Sequence, residues 1–435
     1  MLVTGFPIRR LCVGARMLVM PVFLIAAMTL DATNSHAAAS ERVTTGAEVL
    51  ASSGFGGLEG LTVGLVTNQT GRVGDKHLAD LIHLVPNVKL GAILAPEHGF
   101  RGQVEAGEKV RDGIDPATGV PVHSLYGASR KPTAAMLRGL DILVFDIQDI
   151  GVRFYTYIST MGLAMQAAAE AGIPFMVLDR PNPLGGEYVA GFVLDSGLQS
   201  FVGQYPIPAV HGMTIGELAA MIKGEAWLAG LADLDLRIVE MAGWRRAMRW
   251  PDTGHDWVAT SPNVPTFYSA VAYPGIGIIG ESGLANEGRG TDAPFTVFGA
   301  PWLDAKALVL ELGALGLPGV RFEAVRYTPR SIAGVAANPK FLGREIDGVR
   351  VVVADVATYQ PMEVGVHAMA GLVRQARAGR VKPLFSELKM LHALAGTRRF
   401  HQMLMEGTSA EAVIAAWRAE VNAFRARAAH YLIYR

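Results

Sequence analysis

Residues 89–99 read KLGAILAPEHG, an aliphatic run of strand length broken by a proline and followed at once by a carboxylate and an imidazole, Glu97 and His98. Three further stretches repeat this design: LTVGLVTNQTG at 61–71, DILVFDIQDIG at 141–151 and PFMVLDRPNP at 174–183. Each run is too short for a globular helix and apolar at consecutive positions, which predicts a strand covered on both faces, as in a parallel sheet. Helix-like segments are expected between them at 75–84, 133–138 and 160–171. Strand, helix and strand at this spacing predict right-handed crossovers and an α/β, doubly wound domain.

Ligands of open parallel sheets bind beyond the carboxyl ends of the strands. The residues at those ends are Asn68, Glu97 with His98, Asp146 with Gln148 and Asp149, and Asp179 with Arg180 and Asn182. Four strands therefore deliver polar groups to one rim. Each has a bland alternative: an Asp at a strand end often caps the next helix, and Asn68 in TNQTG suits a turn. Thr214 and Glu217, in HGMTIGELA, have capping-box spacing, which gives Glu217 a structural reading beside any functional one.

The chain has 435 residues, half of them hydrophobic and 18% charged, with 50 Gly and 23 Pro, enough to bury two domain cores. Lys plus Arg and Asp plus Glu balance at 39 each, which removes the electrostatic footprint of a nucleic-acid binder and points to a small or neutral partner. Arg9, Arg10 and Arg16 precede an apolar run at 17–30, and SHAAAS follows at 35–40, the pattern of a secretory signal cut near residues 37–39. PIRRLCV is a poor twin-arginine signal, so ordinary export is expected. Cys12, the only cysteine, falls in that signal; the exported chain is expected to have no disulfide, no thiolate metal site and no cysteine nucleophile. No later apolar run approaches the roughly 20 residues of a membrane span. The expectation is a secreted, periplasmic protein with no stable membrane insertion.

Paired carboxylates suit glycoside hydrolysis, in which one acid protonates the leaving oxygen and another attacks or stabilises the anomeric centre or activates water. Glu97, Asp146, Asp149, Asp179 and Glu287 supply candidates. A metal site built from His98, His211, Asp146, Asp149 and Asp179 competes, but no HExxH or comparable spacing supports it. There is no GxSxG elbow for a nucleophilic serine, and neither GLEGLTVG nor GIGIIGESG makes a dinucleotide-binding turn. In NEGRGTDAPF, the glycines flanking Arg289 let a ligand carboxylate approach a guanidinium, unless Arg289 simply pairs with Glu287. Arg153, beside Tyr155 and Tyr157, is a second guanidinium near aromatic faces on which a sugar ring can lie. The segment around YPGIGIIGESGLANEGRGTDAPF, 273–295, reads as a glycine-rich loop, and amphipathic spacing predicts helix at 411–427.

The ordered motifs PEHGFRG, SLYG, DIQDIGVRFYTYISTM, VLDRPNPLGG, SFVGQYPIPAVHGMTIGELA, SPNVPT, EGRGT and GAPW resemble the NamZ family of exo-acting β-N-acetylmuramidases, from about residue 58 onward. The resemblance implies release of terminal β-linked N-acetylmuramic acid from the non-reducing end of peptidoglycan fragments without a nucleotide cofactor, and no cofactor or metal is expected at the site. It also implies a Rossmann-like domain and a smaller α+β C-terminal domain with the active-site cleft between them; with the signal read above, the expected organisation is a signal at 1–39, an extension at 40–57, the Rossmann-like domain at 58–265 and the smaller domain at 266–435. In the family the glutamate of PEHG is the favoured acid, here Glu97. Asp146, Asp149 and Glu287 are then candidates for the second catalytic carboxylate. His98 and Arg101 would orient the acid or bind the sugar, and Arg153 or Arg289 would meet the lactyl carboxylate that distinguishes muramic acid from N-acetylglucosamine. Asn68, Gln148, Tyr155, Asp179, Arg180, Asn182, His211 and Asn263 complete the expected binding set.

Two departures from the family pattern bear on specificity. ESGLANEGRGT places Ser282, Gly283, Leu284 and Asn286 where the family commonly carries a Gly-Thr-Asn and a serine, and YTPRSIAGVAANPKFLGREIDG lacks the usual Lys and Cys pattern near its middle. A periplasmic muropeptide- or sugar-binding protein without turnover and a metal-dependent hydrolase are the rival readings.

Overall fold

The computed structural model describes Gly14, residues 42–101 and residues 111–435. The export signal expected at 1–39, Gly14 apart, and the start of the extension expected at 40–57 lie outside the described residues. In chain order the strands are β1 (Thr62–Thr67), β2 (Arg72–Val73), β3 (Lys76–His77), β4 (Lys89–Ala95), β5 (Gly113–Ile114), β6 (Pro121–Ser124), β7 (Ile142–Asp146), β8 (Phe175–Leu178), β9 (Leu236–Val239), β10 (Val297–Ala300), β11 (Val320–Tyr327) and β12 (Ile346–Val353). The helices are α1 (Gly46–Ser52), α2 (Leu78–Leu84), α3 (Tyr157–Ala171), α4 (Ile215–Gly224), α5 (Phe267–Glu281), α6 (Ala305–Ala314), α7 (Pro361–Ala378), α8 (Leu388–Ala395), α9 (Arg399–Glu406), α10 (Ala410–Ala416) and α11 (Arg418–Ala428).

The four aliphatic runs become β1, β4, β7 and β8 of a seven-stranded sheet ordered β5-β6-β4-β1-β7-β8-β9. All neighbours are parallel except the two-residue edge strand β5. The order is Rossmann-like, with β1 central and the chain departing first to one side, then to the other. Side chains alternate between the two faces. Val63, Leu65, Ile93, Val144 and Leu178 pack with Leu50 of α1 and Ile82 of α2, while Val66, Leu94, Phe145 and Val177 pack with Met161 of α3 and Leu218 of α4. Each such buried side chain contributes about 1.5–3 kcal/mol, so helices on both faces explain why the runs are unbroken rather than alternating. Gly46 opens α1 where only hydrogen fits: a Cβ there would lie 2.4 Å from the Asp179 nitrogen and the Val239 oxygen.

A second, antiparallel sheet, β10-β12-β11, follows. The sheet and the C-terminal helices make the smaller part of the fold, and the larger apolar core runs continuously through both parts. Residues 40–435 form one compact unit.

Three expected elements differ. The helix expected at 133–138 is a string of turns, with Met136 N–H bonded to Thr133 O at 3.0 Å and Gly139 at φ +78° ending it; six residues make too few i→i−4 bonds to repay nucleation. The helix expected over 411–427 is two, α10 and α11, which meet at the buried Trp417. The glycine-rich loop expected at 273–295 is helical up to Glu281, because α5 runs through YPGIGIIGE. Its glycines serve packing: a Cβ on Gly275 would lie 2.2 Å from Pro361 O and 2.9 Å from the Cα of Gly365, so α5 and α7 cross backbone to backbone. The crossing aims the last residue of α5 at the end of the parallel sheet.

Candidate active site

β4 ends at Ala95, and the chain then turns tightly, with Gly99 N–H bonded to Pro96 O at 3.0 Å. His98 and Gly99 both adopt left-handed φ, +71° and +77°. For a non-glycine residue this costs of order 1 kcal/mol. The turn puts Glu97 and His98 on the wall of a cavity of about 280 Å³. Tyr126 after β6, residues 154–157 before and at the start of α3, Ser261 and Val264 complete the near side, while Tyr273 and Glu281 of α5, Phe295, Met390 and Leu394 form the far side. The cavity thus lies in the cleft between the Rossmann-like part and the C-terminal part.

Glu97 is half-buried and held by hydroxyls. Thr156 Oγ1 donates to its Oε2 at 2.8 Å. Tyr126 is hydrogen-bonded to it as well, and burial followed by the negative charge of Glu97 pushes that phenol up to about 12, so Tyr126 stays a donor at any physiological pH. The floor is aromatic: Tyr273 meets Phe295 edge-on at 4.7 Å and Tyr155 at 5.7 Å, and Tyr155 meets Tyr157 at 5.1 Å. The hydroxyls of Tyr155 and Tyr157 are anchored on Thr260, at 2.7 and 2.5 Å, which fixes the rings.

The carboxylate that shares the cavity with Glu97 is Glu281. Arg289 holds it at 2.6 Å and holds Glu287 at 2.7 Å from its other side. Burial opposes the Arg289 charge, but Glu281 and Glu287 outweigh it and raise its pKa, so the guanidinium is permanently charged. Burial raises the pKa of Glu287, which does not line the cavity. Burial and then Glu281 hold the Tyr273 phenol well above its usual range, and Glu97 adds to the effect, so both glutamates act on one ring of the cavity floor. Among the described residues, no group of three or more His, Cys, Asp or Glu is arranged to hold a metal ion.

The family models "Exo-beta-N-acetylmuramidase NamZ, N-terminal" and "Exo-beta-N-acetylmuramidase NamZ, C-terminal" match residues 63–268 and 271–434. The chain belongs to the NamZ family. It is 40% identical over 418 residues to the peptidoglycan beta-N-acetylmuramidase NamZ of Bacillus subtilis (strain 168), covering 94% of this chain and 96% of that protein. Two crystal structures of DUF1343 family proteins from Bacteroides fragilis NCTC 9343 superpose with TM-scores of 0.83 and 0.72 at 39% and 34% identity. They cover 91% and 90% of this chain, and in each case 99% of the other.

Of the residues expected at the site of this NamZ-family chain, the cavity brings together Glu97, His98 and Tyr155. Asp146 is fully buried and forked onto Arg180, at 2.6 and 3.0 Å, so the two hold the ends of β7 and β8 together. Asp179 accepts from Thr214, Gly216 N–H and Tyr434 and ties α4 and the C-terminus to β8. Asn68 caps a turn through Thr70, and Asn182 does so through Leu184 N–H. Arg101 pairs with Asp115 at 2.9 Å, and Asn263 donates to Val335 O at 2.6 Å. Arg153 is fully buried and spends its guanidinium on the carbonyls of Phe192, Ile207 and Leu394; burial lowers its pKa to about 9. Arg289 adopts the structural pairing with Glu287 and adds Glu281. Glu217 is a buried capping-box residue bonded to Arg246.

Gln148, Asp149 and His211 converge elsewhere, around a small cavity of about 10 Å³. Gln148 Oε1, Asp149 Oδ1 and His211 Nε2 have no protein partner there, and the space suits one water with three polar neighbours. Burial lowers the His211 pKa to about 3, and its Nδ1 accepts from Met213 N–H, so the ring is neutral with the proton on Nε2. Burial raises the Asp149 pKa from 3.8 to about 7 against the backbone N–H of Gly151. A carboxyl with a raised folded pKa binds its proton more tightly in the folded state, so its contribution to stability is greatest at low pH and is lost as pH climbs from about 4 to about 7. Asp149→Asn, neutral throughout, is therefore expected to melt higher than the parent at pH 8, by roughly 2 °C or more, with a smaller gain at pH 5. Thermal unfolding at the two pH values checks this; an equal effect at both would show that Asp149 is already ionised when buried.

Glu281, Tyr126, Thr156 and Tyr273 were not singled out from sequence. Glu281 sits in the ESGLAN stretch, hidden by the loop reading of the glycines. The available signal was Thr266, whose side chain caps α5 by accepting from Ser269 N–H, followed by a nearly unbroken apolar run to Glu281.

Proposed function

We propose that this chain is an exo-acting glycoside hydrolase that removes terminal β-linked N-acetylmuramic acid from peptidoglycan fragments, with Glu97 as general acid and Glu281 as the second carboxylate. The observation that carries this reading is one cavity, of about 280 Å³, whose two carboxylates are Glu97 and Glu281. That volume lies at the small end of ligand pockets and suits one sugar ring, leaving the rest of the substrate outside. The aromatic floor takes the apolar face of the pyranose.

In this reading Glu97 gives its proton to the glycosidic oxygen as the bond to the anomeric carbon breaks, and Thr156 and Tyr126 fix its direction. Positive charge then develops on the ring. Glu281, paired with the permanently charged Arg289, stabilises that charge and either attacks the anomeric carbon or takes a proton from the incoming water. The two carboxyls differ in setting: Glu97 accepts from the Thr156 hydroxyl, and Glu281 pairs with the Arg289 guanidinium.

The pure protein should release 4-nitrophenol and free sugar from 4-nitrophenyl β-N-acetylmuramide, equally well after exhaustive chelation. Saturable binding of the sugar with no turnover would replace the hydrolase by a binding protein, and loss of turnover on chelation would restore the metal-dependent reading.

A further inference from the structure

Muramic acid differs from glucosamine by a lactyl ether that ends in a carboxylate, and a site that selects it needs a cation with a free edge. The two guanidinium groups expected from sequence are occupied. Arg153 faces three main-chain carbonyls, and Arg289 lies between two glutamates.

A third arginine lies beside Tyr126, one of the rings that line the cavity. Arg130 lies in the connection between β6 and β7, exposed to solvent, with its guanidinium 4.1 Å from the centre of the Phe201 ring and 5.4 Å from that of Tyr126. The two rings lie 5.9 Å apart and form a shelf. Tyr126 lines the cavity and bonds Glu97, and Val202, next to Phe201, lines it too. The charge of Arg130 reaches the Tyr126 phenol. Its neighbour Lys131 is spent on Glu170, at 2.8 Å. Stacking fixes the plane of a guanidinium while leaving its N–H edge open, which is the geometry that forks onto a carboxylate. The ring contacts hold the cation without neutralising it.

We propose that Arg130, on its shelf of Tyr126 and Phe201, is the carboxylate subsite that reads the lactyl group of the terminal muramic acid. This rests on the muramidase reading above and deepens it: Glu97 and Glu281 act on the anomeric bond, and Arg130 decides which sugar is presented to them. The same ring, Tyr126, touches both the acid and the specificity cation.

The test compares kcat/KM on 4-nitrophenyl β-N-acetylmuramide with kcat/KM on its lactamide, in which the carboxylate is a neutral amide of the same shape. The parent should prefer the carboxylate by about 10-fold or more, the ratio expected for a charge-assisted hydrogen bond. Arg130→Gln should bring the ratio to about one, chiefly through KM, Arg130→Lys should recover part of it, and Phe201→Ala should lower it with Arg130 intact. An Arg130→Gln enzyme with the parental ratio and an unchanged melting curve would overturn the subsite while leaving the muramidase reading standing. A parent that turns over neither compound, yet binds free N-acetylmuramic acid in a way that Arg130→Gln weakens, would keep the subsite and reject the catalytic reading.

Discussion

Replacing Glu97 by Gln should lower kcat on a β-N-acetylmuramyl disaccharide by about 10²–10⁴, the range for loss of a general acid, with little change in the melting curve. Glu97 projects from a turn and is bonded by two hydroxyls, Thr156 and Tyr126, both able to donate equally to an amide oxygen, so the substitution disturbs no core packing. The distinctive expectation concerns the leaving group. A sugar leaves as a poor anion and needs the proton, whereas 2,4-dinitrophenolate leaves without it. The variant should therefore keep a much larger share of parental activity on 2,4-dinitrophenyl β-N-acetylmuramide than on the disaccharide. Equal losses on both substrates would remove Glu97 from the role of acid.

Glu281→Gln should show the opposite signature, a fall in kcat of about 10² or more on both substrates. In the proposed mechanism its carboxylate acts on the ring and not on the departing oxygen, so a better leaving group should offer no relief. Arg289 makes the contrast with Glu287 informative. Glu281 faces the cavity and Glu287 lies behind it, both on the same guanidinium. Glu287→Gln leaves Glu281 on Arg289 and should cost stability more than chemistry, because a part-buried cation loses one of its two partners. If Glu287→Gln removed activity while Glu281→Gln kept it, the second carboxylate would be Glu287 after all.

The parallel sheet was legible because β1, β4, β7 and β8 carry a local signal: strands covered on both faces show as unbroken aliphatic runs, and the rule that ligands gather at their carboxyl ends then picks out Glu97 and His98. The same rule over-reaches. A strand end is also where a sheet must be tied to its crossovers, and Asp146, Arg180, Asp179 and Asn182 do that work under cover. Burial decides between the two roles, and burial depends on what the C-terminal part lays over the rim, which no local pattern carries. Glu281 shows the converse. Glycines that read as a loop are the smooth face of α5, and only the crossing with α7, seen at Gly275 and Gly365, explains why a helix ends in the cavity. Arg153 illustrates a third limit: proximity to Tyr155 in sequence says nothing about which way a guanidinium points, and here it points into main-chain carbonyls.

A crystal structure of the Glu97→Gln protein with an uncleaved disaccharide of β-linked N-acetylmuramic acid bears most directly on the pairing of Glu97 with Glu281. The glycosidic oxygen should lie within hydrogen-bond reach of the introduced side-chain amide, with Glu281 facing the anomeric carbon from across the ring and the second sugar outside the cavity. The separation of the two carboxyl positions around that sugar, about 5–5.5 Å or about 6.5–9.5 Å, would then assign retention or inversion. A muramic ring seated instead against Gln148, Arg180 and His255, which line a separate cavity of about 340 Å³, would contradict it.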